Sequence, residues 1–319
     1  MVLATGFMAA IAASSRFVPA TPDDAPKLRD WQVGGDPAKS VDILFVGDGY
    51  LQREVNKKFA VDLNRYATRL LEEEPFVRFR KRFNIRGLCA PSRERGCDAA
   101  SDEDAVDTVL DCRFDTRQGR LLTVRNQERL LELVERAGPV DIAFVMVNTE
   151  RYGGAGATLP GLEGRERPLP APVFSAQDTT SFLIAVHELG HSFANLADEY
   201  VNHDDALRFE LPTNDADLDE TNVTLRTKVD RKSFETIAAT VKWRHFLALP
   251  GEKKHEWLHA GGYYRAGEVF RPWPKCRMRD HADPFCPVCD EEIARAVVAC
   301  LGETWDDAAW HQQRPLSDW

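Results

Sequence analysis

His187-Glu188-Leu189-Gly190-His191 is the stretch that decides the reading. On a helix, two His at i and i+4 lie about a turn apart on one face, so both imidazoles can reach one metal ion while the helix holds their geometry. That pair suits zinc. Glu188 sits beside the first His but off the His face, where a carboxylate can take a proton from an attacking water instead of filling the coordination sphere. It is the candidate general base. The flanking Phe182, Leu183, Ile184, Val186, Leu189 and Phe193 are apolar. The pair therefore belongs to a protected helix, where an imidazole without a partner is costly.

Catalytic zinc keeps three protein ligands and one open position. Ser192 to Tyr200 offers two adjacent carboxylates after Asn195. Apart from Gly, Asn most readily adopts the left-handed turn that ends a helix and returns the chain toward its own face. Such a turn aims Asp198 or Glu199 at the metal. Asp198 is the preferred third ligand, and Glu199 is the alternative, or else an acceptor that orients a His.

Working outward, Thr179 to Ala197 reads as one long buried helix. Val41 to Gly49 and Val140 to Val147 are apolar runs that read as buried central strands, and Phe83 to Leu88 as a third. Between them, Leu51, Val55, Phe59, Leu63, Tyr66 and Leu70 recur at spacings of three and four, giving one helix face that stops near Pro75. Leu130, Leu131 and Val134 mark a second helix, ended by Gly138-Pro139. A last helix is expected over Asp290 to Leu301, closed by Gly302. Strands alternating with helices predict an α/β chain of the α+β kind, a mixed sheet flanked by helices. The Gly- and Pro-rich stretch from Arg151 to Pro172 must be loop or edge strand. Within it, Tyr152 to Gly156 reads as an edge along which an extended peptide can pair.

The 319 residues carry 41 Lys and Arg against 51 Asp and Glu, a net charge of -10. That balance argues against nucleic acid as a partner, since such binding is driven by basic patches. After the first fifteen positions no run is long and apolar enough to span a membrane. Val2 to Ala13 has the length of a signal-peptide core but lacks a preceding Lys or Arg. A secreted or periplasmic location is expected on that ground, with a cytoplasmic one as the alternative. Phe17 to Lys39 reads as a linker or surface strap. The acidic stretch from Val201 to Glu220 lacks an EF-hand spacing, so calcium is possible there but unsupported, and a solvated loop is the better reading.

Cys276, Cys286, Cys289 and Cys300 form one group, and Cys89, Cys97 and Cys112 another. In an oxidising compartment, Cys276 with Cys286 or Cys289, and Cys89 with Cys97, would make local disulfides. Cys286-Pro287-Val288-Cys289 also suits half of a structural zinc site or a redox pair. Disulfide or plain packing is the leading reading of the three.

HELGHSFANLADEY, from His187 to Tyr200, resembles the active-site helix of the bacterial IgA-specific metalloendopeptidase family, HExxH zinc peptidases placed near the metzincins. VDILFVGDGYL from Val41, VNTERYGGAG ending at Gly156, Asn222-Val223-Thr224, Val241-Lys242-Trp243, Cys276-Arg277-Met278-Arg279 and Pro284 to Cys289 look like family features in family order. The resemblance spans about positions 40 to 300. It implies a zincin/metzincin-like fold with an active-site HExxH helix and a smaller C-terminal subdomain. It also implies one catalytic Zn2+ on His187 and His191, a third ligand within Asp198-Glu199, catalysis by Glu188, and hydrolysis of protein or peptide substrates. Met278 would be the Met-turn residue that floors the metal, with a cysteine bond fixing that turn. Metzincins proper place Gly seven residues after the first His, where this chain has Ala194 followed by Asn195, so the return turn is shifted by one.

The implied organisation is residues 1–39 as possible signal and linker, 40–305 as peptidase domain and 306–319 as tail. The peptidase domain would divide into an upper part, 40–200, and a lower part, 201–305. Members often carry a separate N-terminal domain, and none is expected in residues 1–39. Tyr263, Tyr264 and His281 are the candidate donors to a developing oxyanion, with Tyr264 and His281 preferred. The competing readings are a zinc exopeptidase, a redox protein built on the Cys286-Cys289 pair, and an inactive homologue that binds protein or glycan. An intact Glu188 argues against the last.

Overall fold

A strand buried on both faces reads as a continuous apolar run rather than an alternating one. That is the condition of Val41–Asp48 and Ile142–Val147, every residue of which is buried. In the computed structural model, which describes residues 26–98, 105–115, 119–160, 168–225, 240–249 and 257–319, these two strands are the centre of a six-stranded sheet. The first half of the chain runs β1 (Arg29–Gln32), β2 (Val41–Asp48), α1 (Gln52–Val55), α2 (Lys58–Leu70), β3 (Phe83–Cys89), β4 (Cys112–Phe114), β5 (Leu122–Val124), α3 (Gln127–Ala137) and β6 (Ile142–Val147). Four short strands follow, β7 (Gly154–Ala155), β8 (Thr158–Leu159), β9 (Leu169–Pro170) and β10 (Val173–Ser175), then α4 (Ser181–Ala194) and α5 (His203–Ala206). The chain closes with β11 (Thr224–Leu225), β12 (His259–Gly262), β13 (Arg265–Arg271), α6 (Pro287–Cys300) and α7 (Asp307–Gln313).

The sheet order is β1-β3-β2-β6-β10-β7, with parallel pairing through β3, β2, β6 and β10 and an antiparallel strand at each edge. The architecture is α+β. One face carries α2, α4 and α6 over a core that includes Phe45, Phe59, Tyr66, Phe144, Phe182, Met278 and Ile293, residues from both proposed parts of the domain. The other face is covered by α3 and the β4-β5 ribbon, through Leu110, Leu122, Leu130 and Val134. A three-stranded sheet, β11-β13-β12, stands apart from the first and packs a small core of Ala197, Leu218, Val223 and Val269.

Several boundaries depart from the sequence reading for local reasons. The expected helix from Leu51 to Leu70 breaks at Asn56-Lys57. Buried Glu54 accepts a hydrogen bond from the Leu51 N–H at 3.0 Å and from Asn148 Nδ2 at 3.4 Å, which fastens the first turn to the end of β6. α6 begins at Pro287, three residues early, because proline's fixed φ suits the first helical position and Cys286 takes the extended cap. Gly138 and Gly302 follow their helices with positive φ, as expected. Part of the Phe17–Lys39 stretch is strand β1, paired with β3, while the possible signal at Val2 to Ala13 lies outside the described residues. Residues 306–319 include α7 and are fastened to the body: Trp310 is buried, Arg314 Nε lies 3.2 Å from Asp290, and the Trp319 indole donates to the Phe285 carbonyl at 3.2 Å.

Candidate metal centre

The helix α4 runs under β10 and the edge strand β7, and its C-terminus carries the His pair. Asn195 ends it in the left-handed conformation (φ 51°, ψ 45°), with its N–H on the His191 carbonyl and the Leu196 N–H on the Gly190 carbonyl. The reversed chain then runs back along the helix. Asn222 holds it there, its Oδ1 accepting from the Ala197 N–H at 2.8 Å and its Nδ2 donating to the Ala197 carbonyl at 2.9 Å.

This turn brings Asp198, buried, against both His. Its Oδ1 lies 3.1 Å from His187 Nε2 and 3.2 Å from His191 Nε2, and the two Nε2 atoms are 3.2 Å apart. The other ring nitrogens fix the tautomers. His187 Nδ1 faces the Arg277 carbonyl at 2.8 Å and His191 Nδ1 faces the Leu196 carbonyl at 2.5 Å. A carbonyl can only accept, so both Nδ1 atoms carry hydrogen and, in the neutral rings, both Nε2 atoms present lone pairs. Asp198 Oδ1, which has no hydrogen-bond partner of its own, adds a third. Three lone pairs aimed at one point are repulsive unless a cation sits there, and this donor set of two imidazoles and a carboxylate is one that zinc takes.

Electrostatics agree with that reading. Burial would depress His191, but the Asp198 carboxylate outweighs it and pushes the imidazole up to about 9. Burial would raise Asp198, but the two His hold its carboxyl well below the usual range. The pair thus has strong affinity for positive charge, whether proton or metal.

Glu188, half-buried, projects from α4 beside His187 toward Gly156 at the end of β7, where any side chain would overlap its carboxylate. Gly153 to Gly156 is edge strand and adjoining loop, as the Gly-rich composition implied, and β7 is the outer strand of the sheet. Met278 lies fully buried under α4, its sulfur so close to Gly190 that a Cβ there would fall 2.7 Å from it. The turn that contains it supplies the Arg277 carbonyl to His187 and its own carbonyl to the Glu199 N–H at 2.7 Å.

Glu199 is not beside the His pair. It points away, into a buried group with Cys276, Cys286 and Cys289, while Asp198 alone of the two carboxylates joins His187 and His191. Tyr264 donates its hydroxyl to Asp198 Oδ2 at 2.7 Å, and burial together with that carboxylate raises its phenol. Tyr263 and Tyr264 form the two-residue turn between β12 and β13, both with positive φ (48° and 68°), a conformation costly for side chains of this size. Two backbone bonds secure the turn, from the Tyr263 N–H to the Asp198 carbonyl at 2.8 Å and from the Tyr264 N–H to the Tyr200 carbonyl at 3.1 Å. The His281 ring meets His187 edge-on, with centroids 4.6 Å apart. Burial, His187 and Arg120 push it down to about 4, so it is neutral at neutral pH and can still donate a hydrogen bond. Arg120 escaped the sequence reading, since nothing near it in the chain marks its proximity to His281.

A model of the IgA peptidase M64 family matches residues 30–251, more than half of the chain. The chain belongs to that family. It is therefore a peptidase, and no curated protein matches it. The M64 match contains the whole of α4 and Asp198 and ends before Met278, so the turn at 276–278 is placed by its contacts with α4.

Of the leading expectation for the cysteines, disulfide or plain packing, the structure shows packing. No disulfide joins Cys89 to Cys97 or links members of the 276–289 group. Cys89 is buried against Gly47 and Cys97 lies elsewhere on the surface of the second core, which is packing rather than cross-linking. In the acidic stretch, the Lys242 ammonium bonds the Leu218 and Glu220 carbonyls, and Asp215 accepts from the Leu225 N–H at 2.7 Å. A third convergent group, His245, Glu291 and His311, has its carboxylate bound by Arg295 at 2.7 Å and reads as an ion-pair network.

Proposed function

We propose that this M64 peptidase is a zinc-dependent endopeptidase. The single observation that carries the reading is the convergence of the His187 and His191 Nε2 lone pairs with the unpartnered Asp198 Oδ1. His187, His191 and Asp198 would hold the ion. When bound, zinc supplies a lowered pKa for an attacking water and polarises the scissile carbonyl.

The chain's own groups do the rest. The Glu188 carboxylate takes the water proton and returns it to the leaving amine, a role worth about 100-fold to 10,000-fold. The Gly154 N–H is taken by the Arg120 carbonyl at 3.1 Å, so an extended peptide would pair further along, at Ala155 and Gly156 beside the Glu188 carboxylate. The Arg277 and Leu196 carbonyls hold the imidazoles in register, and the Tyr264 hydroxyl holds Asp198. His281, neutral and adjacent to His187, is the residue best placed to donate to the oxyanion.

The test is cleavage of unfolded casein before and after chelation, and after zinc is added back. Loss and recovery of cleavage, with Asp198→Ala binding no zinc at this site, support the reading. Cleavage that survives complete metal removal overturns it. A protein that binds zinc here and cuts nothing favours the inactive binding homologue.

A further inference from the structure

Glu199, Cys276, Cys286 and Cys289 bring one ligand atom each to within 4.8 Å of one another, and all four residues are fully buried. We propose that they form a second, structural metal site of three thiolates and one carboxylate, suited to zinc. The proposal does not rest on the peptidase reading, because none of these residues belongs to the His187 centre.

The carboxylate is the first argument. Glu199 is wholly inaccessible. Its Oε1 meets Asn222 Nδ2 at 3.0 Å, Cys289 Sγ at 3.3 Å and Cys286 Sγ at 4.0 Å, but its Oε2 has no hydrogen-bond partner. Leaving such an atom bare in the interior is costly. A disulfide between any two of the cysteines would still leave that oxygen without a partner. An ion satisfies all four groups together.

The second argument is Cys276. Its sulfur accepts the N–H of Met278 at 3.4 Å and the N–H of Cys286 at 3.3 Å. Backbone donors aimed at a sulfur favour the thiolate, the form that binds metal. Cys286 and Cys289 stand at the cap and in the first turn of α6, where the helix N-terminus also favours negative charge. Three thiolates and a carboxylate around a dication leave the site with the same net charge as an all-cysteine zinc site. Arg271, buried close enough to act on both Glu199 and Cys276, offsets part of it. Soft sulfur donors select zinc over magnesium or calcium. A redox role is disfavoured by burial, since a reactive pair must meet its partner at the surface.

The position gives the site a consequence. Glu199 follows Asp198 directly, and Cys276 begins the turn whose Arg277 carbonyl orients His187. One ion would fasten the return segment, that turn and the start of α6 beneath the His pair.

The experiment uses the full chain loaded with cobalt, whose thiolate complexes show an intense near-ultraviolet charge-transfer band that two His and an Asp cannot produce. Metal content and spectra are compared for the wild type, the double variant His187→Ala, His191→Ala, and Cys289→Ser. The expected result is two metal equivalents in the wild type. The His variant should hold one equivalent and keep the band, and Cys289→Ser should hold one and lose it. Should Cys289→Ser fail to fold, the wild type and the His variant decide the matter. A wild type with one equivalent and no charge-transfer band, or an unreduced mass lower by the two hydrogens of a disulfide within 276–289, overturns the proposal.

Discussion

Gly156→Ala should damage the enzyme although it replaces no ligand or acid-base group. A Cβ at 156 overlaps Glu188 Oε2, while the carboxylate carbon and Cβ of Glu188 lie at 3.3 and 3.5 Å. The end of the side chain is what must yield, by about 1 Å, and a misplacement of that size costs about 100-fold in turnover. Stability should move the other way or not at all. Gly156 is exposed and its φ is not in the left-handed range, so Ala should add about 0.4–1 kcal/mol by restricting the unfolded chain. The assay is kcat on an unfolded protein substrate beside thermal melting and zinc content. The effect must also vanish in a Glu188→Ala background, because two changes acting on one group do not add. Full activity in Gly156→Ala, or an equal further loss in the double variant, would refute the placement of Glu188.

Further outcomes rest on the surrounding groups. Asn195→Gly should leave stability nearly unchanged, whereas Asn195→Val should cost about 1–2 kcal/mol by forcing a branched residue into the left-handed turn; chemical denaturation checks both. Tyr264→Phe should weaken zinc binding about 10-fold to 100-fold by freeing Asp198, while a fall in kcat at saturating zinc with affinity intact would place the hydroxyl on substrate instead. His191, pushed up to about 9 in the metal-free site, must lose its proton to bind an ion. Zinc affinity should therefore climb with pH by up to about tenfold per unit and level off near 9, which competitive chelator titration can follow. The same shift makes the proton on His191 stabilise the metal-free fold below about 6.5, a contribution lost as pH rises through about 9.

The sheet was legible because β2 and β6 are buried on both faces and so spell unbroken apolar runs. The His pair was legible because a helix repeats locally, and the carboxylate turn because Asn195 is one of few residues that tolerates it. The choice between Asp198 and Glu199 was not legible. Consecutive residues in an extended segment point to opposite sides, and only the location of Cys276, Cys286 and Cys289 reveals which side faces the sulfurs. The groups that hold the imidazoles were hidden for a different reason. They are backbone carbonyls, and the Arg277 carbonyl lies 90 positions from His187, a separation that leaves no mark in local composition. Gly156 offered only a composition, and its clearance for Glu188 is a tertiary fact. Asn222 entered the sequence reading through resemblance alone, and its work on Ala197 and Glu199 follows from long-range packing.

The central claim is tested most directly by cleavage of unfolded casein with the wild type and Glu188→Gln, zinc content being measured in both. The account predicts equal zinc at the His187 centre, cleavage by the wild type, and a loss of about 100-fold to 10,000-fold or more in the variant. A Glu188→Gln protein that holds its zinc and cuts as fast as the wild type would contradict it.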